Sequence, residues 1–202
     1  MQVTNRFCLS FAAALFAGSV AAAGDVATTD LHAAHKKMMA APTTRIEQTE
    51  YDIPDINLVD SSGANVNLHS LFSDGEAVVV NFIFTTCTTI CPVITATTLQ
   101  LQKELLAEAE QPKYVSISID PNYDSAQILR EYANNYGADW TFLTGSSKNI
   151  VTALQAFDAY RGNKVNHFAL LLMRPANATQ WTRVEGLTSV EKLAQIWRES
   201  AL

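Results

Sequence analysis

Cys87 and Cys91 stand in Asn81-Phe82-Ile83-Phe84-Thr85-Thr86-Cys87-Thr88-Thr89-Ile90-Cys91-Pro92, directly after the apolar run Ala77 to Phe84 and before a helix-friendly stretch. Two neighbouring thiols at a strand-to-helix junction can exchange disulfides or hold a soft metal ion. Disulfide oxidoreductases usually place two residues between their cysteines. Three stand between these, and the extra residue makes room for a metal. A structural disulfide is the plain alternative, but its closed loop is so short that it would remove little entropy from the unfolded chain. Pro92 suits the first helical position, where its missing N–H costs nothing. That register puts Cys91 at the helix cap and Cys87 in the turn before it, where unpaired N–H groups favour thiolate over thiol. Thiolates prefer copper(I), and an imidazole serves either copper oxidation state.

The N-terminus sets the expected compartment. Arg6 precedes an apolar run from Phe7 to Val20, followed by Ala21-Ala22-Ala23 and Gly24. This is the pattern of a cleaved secretory signal over residues 1–23. An uncleaved membrane anchor is the alternative, and the run is shorter than the roughly 20 residues a spanning helix needs. Cys8 lies within the signal, which leaves Cys87 and Cys91 as the mature cysteines. In an oxidising compartment they form a disulfide unless they are reduced or ligated. The expected location is the periplasm. With 20 acidic against 14 basic residues the chain is acidic, and nothing in it favours nucleic acid.

Residues 24–50 have no sustained period and read as a flexible leader, followed by one domain over 51–202. The leader carries His32, His35, Met38 and Met39, which are either incidental to a tether or transient copper donors; Lys36 and Lys37 between them argue for the tether. Ile56, Leu58, Val66 and Leu68 flank Asp60-Ser61-Ser62-Gly63 and predict an N-terminal β-hairpin. His69 reads there as a strand-end or cap residue. The run 77–84 predicts a central strand buried on both faces. A helix over 92–109, a strand over 113–120 and a helix from a cap at Asp124 to Tyr136 continue a βαβ pattern. A strand over 140–143, a helix opened by Ser146 or Ser147, strands at 168–173 and 180–184, and a helix over 189–199 complete the chain.

This order predicts an α/β thioredoxin-like fold, a central mixed sheet flanked by helices. In such a fold the loop entering the strand at Phe168 lies against the cysteine turn, and the residue there is His167. Away from that topology His167 reads as an ordinary, inert strand-edge histidine. Opposite the cysteines it supplies a nitrogen to a three-coordinate site with an open side. Structural zinc usually takes four protein ligands, so zinc fits this set less well than copper.

From Tyr51 onward the sequence resembles the SCO/SenC family of exported copper chaperones and thiol-disulfide proteins that serve cytochrome c oxidase assembly. The resemblance rests on Val80 to Pro92 with its C-x-x-x-C-P element, Val115 to Pro121 with Asp124, Trp140 to Gly145, and His167. It implies that Cys87, Cys91 and His167 are copper ligands, for Cu(I) or Cu(II), and that the two cysteines cycle as a redox pair. It also implies that Asp120 lies near the site and influences ligand exchange; a strand-end turn residue is the plainer reading of that position. The chain departs from the family pattern at Tyr123, where Arg is frequent, at Asn166, where Asp is usual, and in a short segment, 160–166, before the histidine.

Two chemistries stay open on these residues. A metallochaperone would deliver copper to an oxidase subunit or another periplasmic cuproprotein, or keep the copper-site cysteines of such a partner reduced. A thiol-disulfide oxidoreductase or peroxidase-like enzyme would use the cysteines without metal. Either draws on a thiol-disulfide reductant. A third class is an interaction module whose cysteines only report redox state.

Overall fold

The computed structural model describes residues 44–108 and 110–201. The expected signal peptide and the His/Met segment lie outside the described residues. Strands β1 (Arg45–Thr49), β2 (Asn57–Asp60), β3 (Asn65–Asn67), β4 (Val78–Ile83), β5 (Lys113–Ser118), β6 (Thr141–Thr144), β7 (Leu170–Arg174) and β8 (Trp181–Glu185) form one sheet among the described residues. Its order is β1-β8-β7-β4-β5-β6-β2-β3. β4, β5 and β6 are parallel, whereas β7 runs antiparallel to β4 and β8 to β7. The helices are α1 (Leu68–Ser73), α2 (Ile90–Ala107), α3 (Ala126–Tyr136), α4 (Ser147–Ala156) and α5 (Val190–Ser200). This is the mixed sheet flanked by helices that the sequence predicts.

The periodicity of β4 explains its central place. Val78, Val80 and Phe82 pack into one core with Phe157, Leu154 and Trp181, while Val79 joins Leu101, Leu105 and Trp197 in another. All six residues of the strand are buried, so its sequence cannot alternate between polar and apolar. Asn81 is its polar exception, and its amide donates to Thr98 Oγ1 of α2 at 3.0 Å.

Three expectations need correction. Arg45–Thr49, read as leader, forms an edge strand whose register pairs Arg45 with Glu185 and Thr49 with Trp181. Its alternation is hard to see because an edge strand packs little side-chain surface; the backbone ladder and the Glu47–Arg183 ion pair at 3.5 Å hold it. Asp124 does not cap α3. Ser125 does, accepting from the Ile128 N–H at 3.3 Å, and Asp124 turns inward. His69 is an exposed residue of α1, a short helix capped by Asn67 that interrupts the expected strand after Val66.

The fold brings three segments to one end of the sheet. Ile83 pairs with Ser118, and Ile119 N–H donates to the Ile83 carbonyl at 2.9 Å, so the exits of β4 and β5 lie side by side. Asn81 pairs with Leu171, which places the entry to β7 beside the same exit. Carboxyl ends of parallel strands are where α/β sheets build their sites.

Candidate functional site

The cysteine turn starts where β4 ends. Cys87 N–H donates to the Phe84 carbonyl at 3.1 Å, and α2 begins at Ile90, two residues earlier than Pro92 predicts. Thr89 occupies the N-cap position and makes no side-chain capping bond, so first-turn N–H groups need another acceptor. Cys87 supplies it: its Sγ accepts from Cys91 N–H at 3.4 Å and lies 3.7 Å from Thr89 Oγ1. The sulfur does the work of a capping oxygen. Cys91 Sγ takes a different donor, the Phe84 N–H, at 3.4 Å.

The two thiols therefore diverge in acidity. Burial pushes against the Cys87 thiolate, but the backbone donors of Cys91 and Thr89 outweigh it and lower the pKa to about 7. Cys91 is fully buried, and that burial, with the neighbouring Cys87 and Asp124 charges, pushes its thiol well above the ordinary range despite the Phe84 donor. The sequence expectation that the helix end favours both thiolates holds for Cys87 alone. Cys87 and Cys91 are not joined by a disulfide in this structure.

Beneath the turn lies Asp124, fully buried. Its carboxylate accepts from Thr85 N–H at 3.2 Å, from Thr85 Oγ1 at 2.5 Å and from Ser118 Oγ at 2.6 Å. Burial raises its pKa against the pull of those donors. Thr85 and Ser118 carry no signal in the sequence that marks them as partners of Asp124. Asp120 sits above, mostly buried, bonded to the ammonium of Lys164.

His167 follows a one-turn 3₁₀ helix, Lys164–Asn166, and its N–H donates to the Lys164 carbonyl at 3.1 Å. Its ring meets Phe84 edge-on at 5.9 Å. Nε2 is buried and has no hydrogen-bond partner, while the ring bonds to the Phe82 backbone. Burial lowers the imidazole pKa to about 4, so the ring is neutral at physiological pH with a free Nε2 lone pair. His167 and Cys87 line one cavity of about 270 Å³ together with Phe84, Thr86, Ile90 and Val165. Among the described residues no three His, Cys, Asp or Glu side chains already stand as a closed metal-holding cluster. The arrangement is one reactive sulfur and one unpaired imidazole nitrogen around a common space, with the second sulfur fully buried one helical turn on from the first.

Two departures from the family pattern have a structural reading. Asn166 bonds back to the Arg161 carbonyl at 3.3 Å, and Tyr123 is half exposed. Neither is drawn into the cysteine turn.

Residues 45–200 match the family model described as SCO1/SenC. The chain belongs to the SCO1/SenC family. It is 40% identical over 114 residues to the SCO1 protein homolog of Bacillus subtilis, covering 54% of this chain and 58% of that protein. It is 33% identical over 102 residues to a Stutzerimonas stutzeri protein named for copper binding, covering 50% and 49%. The chain thus spans about half the length of the curated relatives it matches. Among solved structures it is similar to BsSco, a member of the Sco family of cytochrome c oxidase assembly proteins with a disulfide switch, at a TM-score of 0.64 and 30% identity over 77% of this chain and 96% of that one. Yeast Sco1 with copper bound shares the fold at a TM-score of 0.65 and 20% identity, covering 75% and 92%. This SCO1/SenC chain therefore has the thioredoxin-like architecture that its cysteine motif and element order predict.

Proposed function

We propose that this SCO1/SenC protein carries copper as cargo, bound by Cys87, Cys91 and His167, and passes it to a copper-receiving oxidase subunit or another exported cuproprotein. The observation that carries the reading is the buried, unpartnered Nε2 of His167 on the cavity that Cys87 lines. A buried polar nitrogen without a partner costs on the order of 1–3 kcal/mol, and a metal ion is a partner that removes the cost. The donor set fits copper: two sulfurs favour copper(I), and a neutral imidazole is available without displacing a proton. Relatives named for copper binding or solved with copper support it. Three ligands leave one side open, so an acceptor's ligand can bind before the chaperone's own ligands leave. Export by a cleaved signal is part of this proposal and places the site where cuproproteins mature.

The test is an anaerobic copper(I) titration of the reduced chain against a competing chelator. One equivalent should bind, and Cys87→Ala, Cys91→Ala or His167→Ala should each weaken it. Unchanged affinity in His167→Ala would remove the imidazole from the model.

The divergent acidity of the two thiols favours a second reading in the same site, disulfide reduction of a partner. Cys87 thiolate would attack one sulfur of the partner's disulfide, forming a mixed disulfide and expelling the other sulfur as thiolate. Cys91, losing its proton, would then attack Cys87 and release the partner as a dithiol. The chain ends oxidised and needs an external thiol reductant to return.

A further inference from the structure

We propose that the Lys164–Asp120 ion pair is a latch that holds His167 against the cysteine turn, which makes Lys164 a positioning residue for the site. The latch rests on the copper reading only for its purpose; its existence stands on the loop itself.

The 3₁₀ turn Lys164–Asn166 has no buried residue, and Val165 is 77% exposed. Packing cannot hold such a turn. Its hydrogen bonds are mostly local: Val165 N–H to Asn163 Oδ1 at 3.0 Å, Asn166 N–H to the Asn163 carbonyl at 3.0 Å, and the Asn166 amide to the Arg161 carbonyl. Among the described residues, the one side-chain hydrogen bond that ties residues 163–166 to a segment distant in sequence runs from the Lys164 ammonium to Asp120.

Asp120 is a firm anchor. Its own N–H donates to Ser118 Oγ at 3.0 Å, and the same hydroxyl donates to buried Asp124 at 2.6 Å. At the other end of the tie, the Lys164 carbonyl accepts the His167 N–H, so a displacement of Lys164 moves the histidine backbone. The ammonium also lies 5.5 Å from the centre of the Phe84 ring, the ring that meets His167 edge-on. Lys164 and His167 line both the cysteine cavity and a second cavity of about 340 Å³ floored by Ile119, Ile150 and Leu154. The lysine side chain is thus part of the wall between the two. With the latch open, the turn can lift, His167 loses its fixed distance from Cys87, and the two cavities join.

The test uses hydrogen exchange on the reduced, metal-free chain, followed by the rate of copper(I) release to a chelator. Lys164→Met keeps the side-chain length and removes the charge at a partly exposed position, so folding is not at stake. Lys164→Met and Asp120→Asn should each speed exchange across 162–168 by about fivefold, the double variant should do no more than either, and Lys164→Arg should stay near the parent. Copper release should quicken in Lys164→Met in step with exchange. Unchanged exchange in Lys164→Met, or effects that add in the double variant, would overturn the latch. Faster exchange with unchanged copper release would show that the turn does not position the ligand. Failure of the parent chain to bind copper would instead sink the cargo reading and leave the exchange result to judge the latch.

Discussion

Thr85 donates both its backbone N–H and its hydroxyl to the buried carboxylate of Asp124, at 3.2 and 2.5 Å. One carboxylate thus fixes the first residues of the cysteine turn to the exit of β5, where Ser118 adds a third donor. Asp124→Asn replaces an acceptor by an amide that cannot satisfy all three donors in place. It should destabilise the reduced protein by about 1–3 kcal/mol, measured by urea unfolding. Stability within about 0.5 kcal/mol of the parent would show that the turn does not depend on this carboxylate.

Cys87 should be the reactive thiol. With a pKa lowered to about 7, its alkylation by iodoacetamide should rise with pH through a midpoint near 7, followed by mass spectrometry of the reduced, metal-free chain. Cys91, buried and held as a thiol, should stay unmodified through neutral pH. Equal labelling of the two would contradict the divided roles.

His167 should make stability pH-dependent on the acid side. Its folded pKa, lowered by burial to about 4, lies below the ordinary 6.5, so the unfolded chain binds the proton more tightly. The neutral ring costs nothing on this account above pH 6.5; stability is lost as pH falls from 6.5 to about 4 and changes no further below that. The loss is on the order of 3 kcal/mol. Comparing the parent with His167→Gln across pH 4–8 isolates it, and parallel profiles would refute it.

The domain should begin at β1. A chain starting at Thr44 should be more stable to denaturant than one starting at Tyr51, because the shorter chain loses the β1–β8 ladder and exposes the β8 edge. It also strips Glu47 from Arg183, a buried guanidinium that bonds Tyr51 Oη, the Phe157 and Asp158 carbonyls and Glu185. Equal midpoints would return β1 to the status of a leader.

Much of this protein is legible along the chain because its signals are local. The all-apolar β4, the thiols at its exit, the Ser146 and Ser189 caps and the hairpin around Asp60 each depend on neighbours in sequence. Helix α3 closes at Gly137 with φ of 65°, a conformation that glycine adopts without cost. The C-x-x-x-C-P element is equally local, whereas His167 becomes its partner only through the order of the elements between them.

What the sequence leaves open is whatever depends on distant partners. Asp124 reads as a helix cap because Asp is a good cap, yet it serves Thr85, 39 residues away. Both cysteines read as thiolates because both lie near a helix start, yet full burial reverses Cys91, since a low-dielectric surrounding disfavours charge more strongly than one backbone donor supports it. Lys164 carries no motif, and its role comes from Asp120, 44 residues before it. Residue types and spacing determine which atoms this protein has for chemistry; burial and cross-chain hydrogen bonds, which exist only once the sheet has formed, decide which of them is charged, which is free and which is held.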